Sequence, residues 1–134
     1  MRGGIVLNRS VLRAIAEPAR ARGVAIAVRS VFLQGVLTPK GTHLPANLSG
    51  LSHARGQCVA LAERLGMPLN HLALRALLAD AAVAYVLIGV DRRHQLADAL
   101  DAATGIPLPA DISEALADYE PHDLTLTDPR TWSR

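Results

Sequence analysis

Two short stretches carry residue types that could hold a ligand. In the first, Arg29-Ser30-Val31-Phe32-Leu33-Gln34-Gly35, a polar break follows an apolar run. In the second, Gly89-Val90-Asp91-Arg92-Arg93-His94-Gln95, an apolar run passes through glycine into a charged segment. Where a glycine turn leads into a helix, the unbonded N–H groups of the first turn and the helix dipole favour an anion. Glycine also lets that anion approach the backbone closely. Arg92 and Arg93 can add bidentate contacts, which suits phosphate. The same residues also suit a tight βα turn with solvated arginines, and spacing alone leaves both readings open.

The elements that must position these stretches follow from patterning. Val24-Ala25-Ile26-Ala27-Val28 is apolar without alternation and has three β-branched members. This predicts a strand covered on both faces, as in a parallel sheet sandwiched by helices. Tyr85-Val86-Leu87-Ile88, ended by Gly89, predicts a second buried strand. Ligand chemistry in such folds gathers at the C-terminal ends of the strands. Ile5-Val6-Leu7 reads as the possible end of a further strand.

Helical spacing fills the intervals. Ser10 to Arg22 predicts a helix with Ser10 as N-cap, Val11, Leu12, Ile15 and Ala19 inward, and Gly23 as its stop. Pro18 removes one backbone bond and clashes with the previous turn, predicting a kink or a split near Glu17. Thr38 to Leu48, with Pro39, Gly41, Pro45 and Asn47, is a loop. Ser49 to Leu65 predicts a helix with Leu51, Cys58, Leu61, Ala62 and Leu65 on one side, stopped by Gly66. Pro68 opens another, burying Leu69, Leu72, Ala73, Ala76 and Leu77. Arg92 to Ala103 carries Leu96, Ala99, Leu100 and Ala103 at helical spacing, and Gly105-Ile106-Pro107 breaks it. A short helix at about Ala110 to Tyr119 and a tail with Pro121, Pro129 and Trp132 complete the chain.

The 134 residues have the length of one domain, without repeat, low-complexity tract or linker. Half are hydrophobic but only 3% aromatic, so Ala, Leu and Val must fill the core. Lys40 is the only lysine, and the arginines are scattered. A formal charge of +2 spread that way does not suggest nucleic-acid binding. The lone Cys58 excludes an internal disulfide, and its place on an apolar helix side suits core packing. His43, His53, His71, His94 and His122 show no i,i+4 pair or carboxylate grouping, which argues against a metal site. Ser30 lacks the Gly-x-Ser-x-Gly setting of a hydrolase elbow. Asp111, Glu114 and Asp118 read as a solvated face, and the Asp98-Asp101 pair as equally ordinary. No apolar segment approaches the roughly 18 residues of a membrane helix. Met1-Arg2-Gly3-Gly4 lacks the apolar core of a secretory signal, so the expectation is a soluble, cytoplasmic protein.

These residues resemble a family, the aldo/keto reductases. Arg29-Ser30-Val31-Phe32-Leu33-Gln34-Gly35-Val36-Leu37 is similar to the end of that family's seventh barrel strand. There a serine, a large apolar residue and a Gly/Gln-rich turn flank the dinucleotide. Val86-Leu87-Ile88-Gly89-Val90-Asp91-Arg92-Arg93-His94-Gln95-Leu96 resembles its eighth strand and following helix. Asn8 sits where the family often has an asparagine closing strand six. Asp128-Pro129-Arg130 with Trp132 is similar to the tail of some bacterial members.

The resemblance implies residue roles. Ser30 and Phe32 would flank the nicotinamide and pyrophosphate, and Gln34 and Gly35 would shape the loop over the diphosphate. Gly89, Val90, Asp91 and Arg92 would hold the adenosine 2'-phosphate end, and Gln95 and Asp98 would face the adenine. The implied cofactor is NADP (as NADPH), the implied substrate a small carbonyl compound, and the reaction reduction of an aldehyde or ketone to an alcohol. Three positions depart from the family's pattern. Arg29 stands where many members have a tyrosine stacked on nicotinamide, and Ala99 where an asparagine often contacts adenine. An inward Asp91 would repel a 2'-phosphate, leaving NADP or NAD open.

The implied fold is the C-terminal portion of a TIM (β/α)8 barrel. Residues 1–134 would be a partial domain with two to three parallel strands, because a whole barrel takes about 250 residues. The family's catalytic Asp, Tyr, Lys and His would all precede Met1, so this chain alone would supply cofactor contacts without the proton-transfer groups. Open strand edges suggest an alternative: a non-catalytic remnant or assembly module that pairs with another copy or a partner chain.

Overall fold

The computed structural model describes residues 5–132, and the opening Met1-Arg2-Gly3-Gly4 lies outside them. Helix α1 spans Arg9–Ala21. Its N-cap is Asn8 rather than Ser10, because the Asn8 side-chain amide donates to Thr127 Oγ1 at 3.0 Å and anchors the chain as the helix begins. The Ser10 amide, inside the first turn, donates to the Glu120 carboxylate instead. The helix runs through Pro18 without splitting. Leu12 is buried and Ile15 and Ala19 partly so, whereas Val11 is 39% exposed. The inward stripe is therefore one residue narrower than the sequence spacing suggested.

Strand β1 is Ala27–Val28 and strand β2 is Tyr85–Val86, both shorter than expected. They pair in parallel, Ala27 opposite Tyr85 and Val28 opposite Val86. Burial on both faces is not found. Ile26 and Val28 are buried while Ala25 is exposed and Ala27 half-buried, so the run alternates between a covered and an open face, and Val24, 58% exposed, lies before the strand. The second strand is likewise not buried: Tyr85 and Leu87 are exposed. Ile5–Leu7 forms a 3-10 turn rather than a strand end, and it carries Val6 and Leu7 into the core.

Helices cover the buried side of the sheet. A 3-10 turn over Ala46–Leu51 leads into α2, Ser52–Arg64. The single helix expected from Ser49 is thus two pieces of different pitch. Ala54, Cys58, Leu61 and Ala62 form the buried face of α2, and Gly66 stops it with φ of 63°. Pro68 caps α3, Leu69–Leu78, whose residues Leu69, Leu72, Ala73, Ala76 and Leu77 are all buried as expected. Helix α4 is Arg93–Thr104. Its buried residues are Ala99 and Ala102, while Leu96 and Leu100 are 45% and 58% exposed. Small alanines let α4 approach α3 closely, which rotates the leucines away from the core. Helix α5, Ala110–Ala115, and a 3-10 turn over Leu116–Tyr119 follow. Asp111, Glu114 and Asp118 are exposed.

Polar contacts across the chain tie these pieces together. Arg9 is 4% exposed, ion-paired to Asp80 at 3.2 Å and donating to the Ala76 carbonyl at 3.4 Å. Burial pulls its pKa down, and the Asp80 carboxylate works against that shift. Trp132 Nε1 donates to the Leu126 carbonyl at 3.0 Å and holds the tail's turns together. Among the described residues no helix is long and apolar enough to cross a membrane.

Candidate functional site

The ladder brings the two chemically interesting stretches together. The Leu87 amide donates to the Val28 carbonyl at 2.8 Å, and the Tyr85 amide to the Ile26 carbonyl at 3.3 Å. Both chains run the same way, so the turns that begin at Arg29 and Gly89 leave from the same edge of the sheet. A parallel α/β sheet binds ligands at that edge.

The first turn is strained. Ser30, Leu33 and Gln34 all adopt left-handed backbone, with φ of 61°, 46° and 51°. Non-glycine residues there cost on the order of 1–3 kcal/mol each and persist only when their surroundings over-determine them. Several contacts do so. Val31, Leu33, Val36 and Leu37 are buried. The Leu33 amide donates to the Ser30 carbonyl at 3.0 Å, and the Leu37 amide to the Phe32 carbonyl at 3.1 Å. Thr38 Oγ1 donates to the Gly35 carbonyl at 2.8 Å. From α2, Arg55 Nε donates to the Val36 carbonyl at 2.9 Å and Nη2 to the Thr38 carbonyl at 3.2 Å. The chain then folds back so tightly that a Cβ at Gly41 would lie 2.5 Å from the Gly35 carbonyl oxygen. The result leaves Ser30 and Phe32 half-buried, Gln34 exposed and Gly35 partly exposed.

The second turn is open. A Cβ built on Gly89 meets nothing within 4 Å. Gln95 Oε1 accepts from the Asp91 amide at 2.8 Å and the Arg92 amide at 3.0 Å, closing the start of α4. Gln95 therefore shapes this turn from inside. Val90, Asp91 and Arg92 are exposed, and neither Arg92 nor Arg93 has an ion-pair partner among the described residues. Asp98 has a different set of contacts. Its Oδ1 meets His71 Nε2 at 2.8 Å and its Oδ2 accepts from Asn70 Nδ2 at 2.6 Å. These bonds, His71 first, hold the Asp98 carboxyl below its ordinary pKa and join α4 to α3.

Sequence reasoning missed two parts of this arrangement. The Asp98–His71 pair crosses between helices and has no local signature, and Asp98 was read only beside Asp101 and as a residue facing adenine. Arg55 lies in a stretch read only for its apolar side. Elsewhere, an apolar groove of about 130 Å³ is lined by Leu74, Leu78, Val86, Ile88, Leu96 and Leu100, among others. A more polar cleft of about 340 Å³ involves Arg9, Arg13, Asp80 and Glu114. Neither contains a residue expected to bind the cofactor. Cys58 is buried and its thiol is pushed up to about 12, which removes it as a nucleophile. Among the described residues no three His, Cys, Asp or Glu side chains converge on a metal position.

Parallel strands joined through helices, with two turns leaving the same end of the sheet, define an α/β fold. The model of the Aldo/keto reductase family matches residues 5–119, and the chain belongs to that family. Membership brings the TIM-barrel fold class and an oxidoreductase class of chemistry, and the two parallel strands found here are consistent with part of such a barrel. The match ends at Tyr119, leaving the tail outside it. A comparison with curated proteins finds no match.

Proposed function

We propose that this chain is the NADP(H)-binding, C-terminal portion of an aldo/keto reductase-like oxidoreductase. The observation that carries the reading is the shared edge of β1 and β2, which places both glycine-containing turns side by side. The residues fit a dinucleotide. Gly89 faces open space, and the guanidinium groups of Arg92 and Arg93, without an ion-pair partner among the described residues, stand beside the N-terminus of α4, where an anion is favoured. Ser30 and Phe32 flank the nicotinamide and pyrophosphate, and Gln34 and Gly35 form the loop over the diphosphate. Gly89, Val90, Asp91 and Arg92 receive the adenosine phosphate. Gln95 supports that turn from within, and Asp98 positions α4 through His71.

When bound, the dinucleotide supplies a hydride to the carbonyl carbon of an aldehyde or ketone. The residues of this chain bind and orient the cofactor, and the acid that protonates the product oxygen is not among them. Tyr85 starts a strand, away from the strand-end turns, and Lys40 is an exposed residue of the loop that continues the first turn. Mapping backbone amide shifts on adding NADPH tests this reading. Changes concentrated in residues 30–37 and 89–95 support it. Changes confined to the Arg9–Asp80 cleft would place the ligand elsewhere.

A second reading, assembly through the sheet edge, is favoured by the exposed Tyr85, Leu87, Leu96 and Leu100 around β2 and α4. Sedimentation would show it as a concentration-dependent rise in mass.

A further inference from the structure

We infer that Arg55 is the residue that sets the shape of the dinucleotide loop. This inference rests on the cofactor reading above. Arg55 stands on the solvent-side shoulder of α2, one residue past the buried Ala54 and one turn before the buried Cys58. The core face of α2 therefore fixes where its stem points. Its guanidinium spans two carbonyls of the turn, Val36 at 2.9 Å and Thr38 at 3.2 Å. Those carbonyls lie two and four residues past Gln34, the last of three left-handed, non-glycine residues, Ser30, Leu33 and Gln34. Such a backbone relaxes unless something outside it holds it. Hydrophobic anchoring by Leu33 and Leu37 fixes the depth of the turn, but apolar contacts are not directional. A planar fork with two charge-assisted bonds is directional, so it fixes the angle at which Gln34 and Gly35 are presented. Lysine offers a single point charge and cannot reproduce the span.

The test is equilibrium binding of NADPH, read by its fluorescence, to the full chain and to Arg55→Ala and Arg55→Lys. Loss of the fork weakens binding about tenfold in Arg55→Ala. Arg55→Lys keeps the charge yet stays weakened, and millimolar guanidinium ion restores affinity to Arg55→Ala at an unchanged melting temperature. A role in stability alone would lower the melting temperature and leave the folded protein's affinity untouched, without rescue. That outcome overturns the inference, as does wild-type affinity in both variants. If Arg55→Ala does not fold, Arg55→Lys decides by the same comparison. Wild-type chain that binds while the variants bind equally well defeats this inference alone. Wild-type chain that binds no NADPH defeats the cofactor reading and the inference with it.

Discussion

The Leu87 amide reaches the Val28 carbonyl at 2.8 Å, and this one bond places two turns more than fifty residues apart in sequence at a common edge. Everything proposed for the site depends on that pairing. Neither strand is long, so the edge is held chiefly by what packs behind it: α3 and the buried residues Ile26 and Val28.

Gly89 lies at the open side of the second turn, with no atom within 4 Å of a built Cβ. Gly89→Asp should therefore leave folding intact while placing a carboxylate where phosphate approaches. NADPH affinity should fall at least about tenfold, with an unchanged circular dichroism spectrum. Unchanged affinity in the variant would remove Gly89 from the site.

Arg92 and Arg93 have no ion-pair partners among the described residues, so their charge is available to a ligand. Replacing both with alanine should weaken NADPH binding more than NADH binding, because only the former carries the extra phosphate. The dependence of NADPH affinity on salt should flatten as well. Equal losses for the two cofactors would place these arginines outside the 2'-phosphate region.

The expected roles and the observed geometry diverge in instructive places. Helix stops at Gly23 and Gly66 and the inward face of α3 were legible, because they depend on local backbone preference and periodicity. The expected two-sided burial of Val24 to Val28 failed because a continuous apolar run records hydrophobicity, not which neighbours cover it. Leu96 and Leu100 misled for the same reason: alanines pack closer than leucines, so Ala99 and Ala102 took the contact with α3. The serine and glycine-rich turns were visible as motifs. Their support was not, since Arg55 and His71 act across 19 and 27 residues of sequence respectively.

Cys58 is 1% exposed, and burial pushes its thiol up to about 12. A disulfide reagent at neutral pH should leave it unmodified in the folded protein and react fully in denaturant. Rapid reaction of the native chain would show that α2 does not pack as described.

Asp98 is held below its ordinary pKa of 3.8, first by the bond to His71. A carboxylate with a depressed folded-state pKa contributes stability that is present above the unfolded value and lost as pH falls through the folded one. Asp98→Ala should therefore melt at a lower temperature than wild type at neutral pH. That difference should begin to shrink as the pH falls below 3.8 and close only once it has passed the lower folded-state value. A gap that persists in acid would mean that the side chain contributes by packing instead. The effect should be modest, because the carboxylate is 49% exposed and screened by water.

The most direct test is a titration of NADPH into the purified chain, followed by cofactor fluorescence and repeated with NADH. Saturable one-to-one binding, weakened by Gly89→Asp, is the predicted result. No saturable binding by a chain whose circular dichroism shows it folded would contradict the account. The exposed edge of β2 would then have to be explained by assembly rather than by a cofactor.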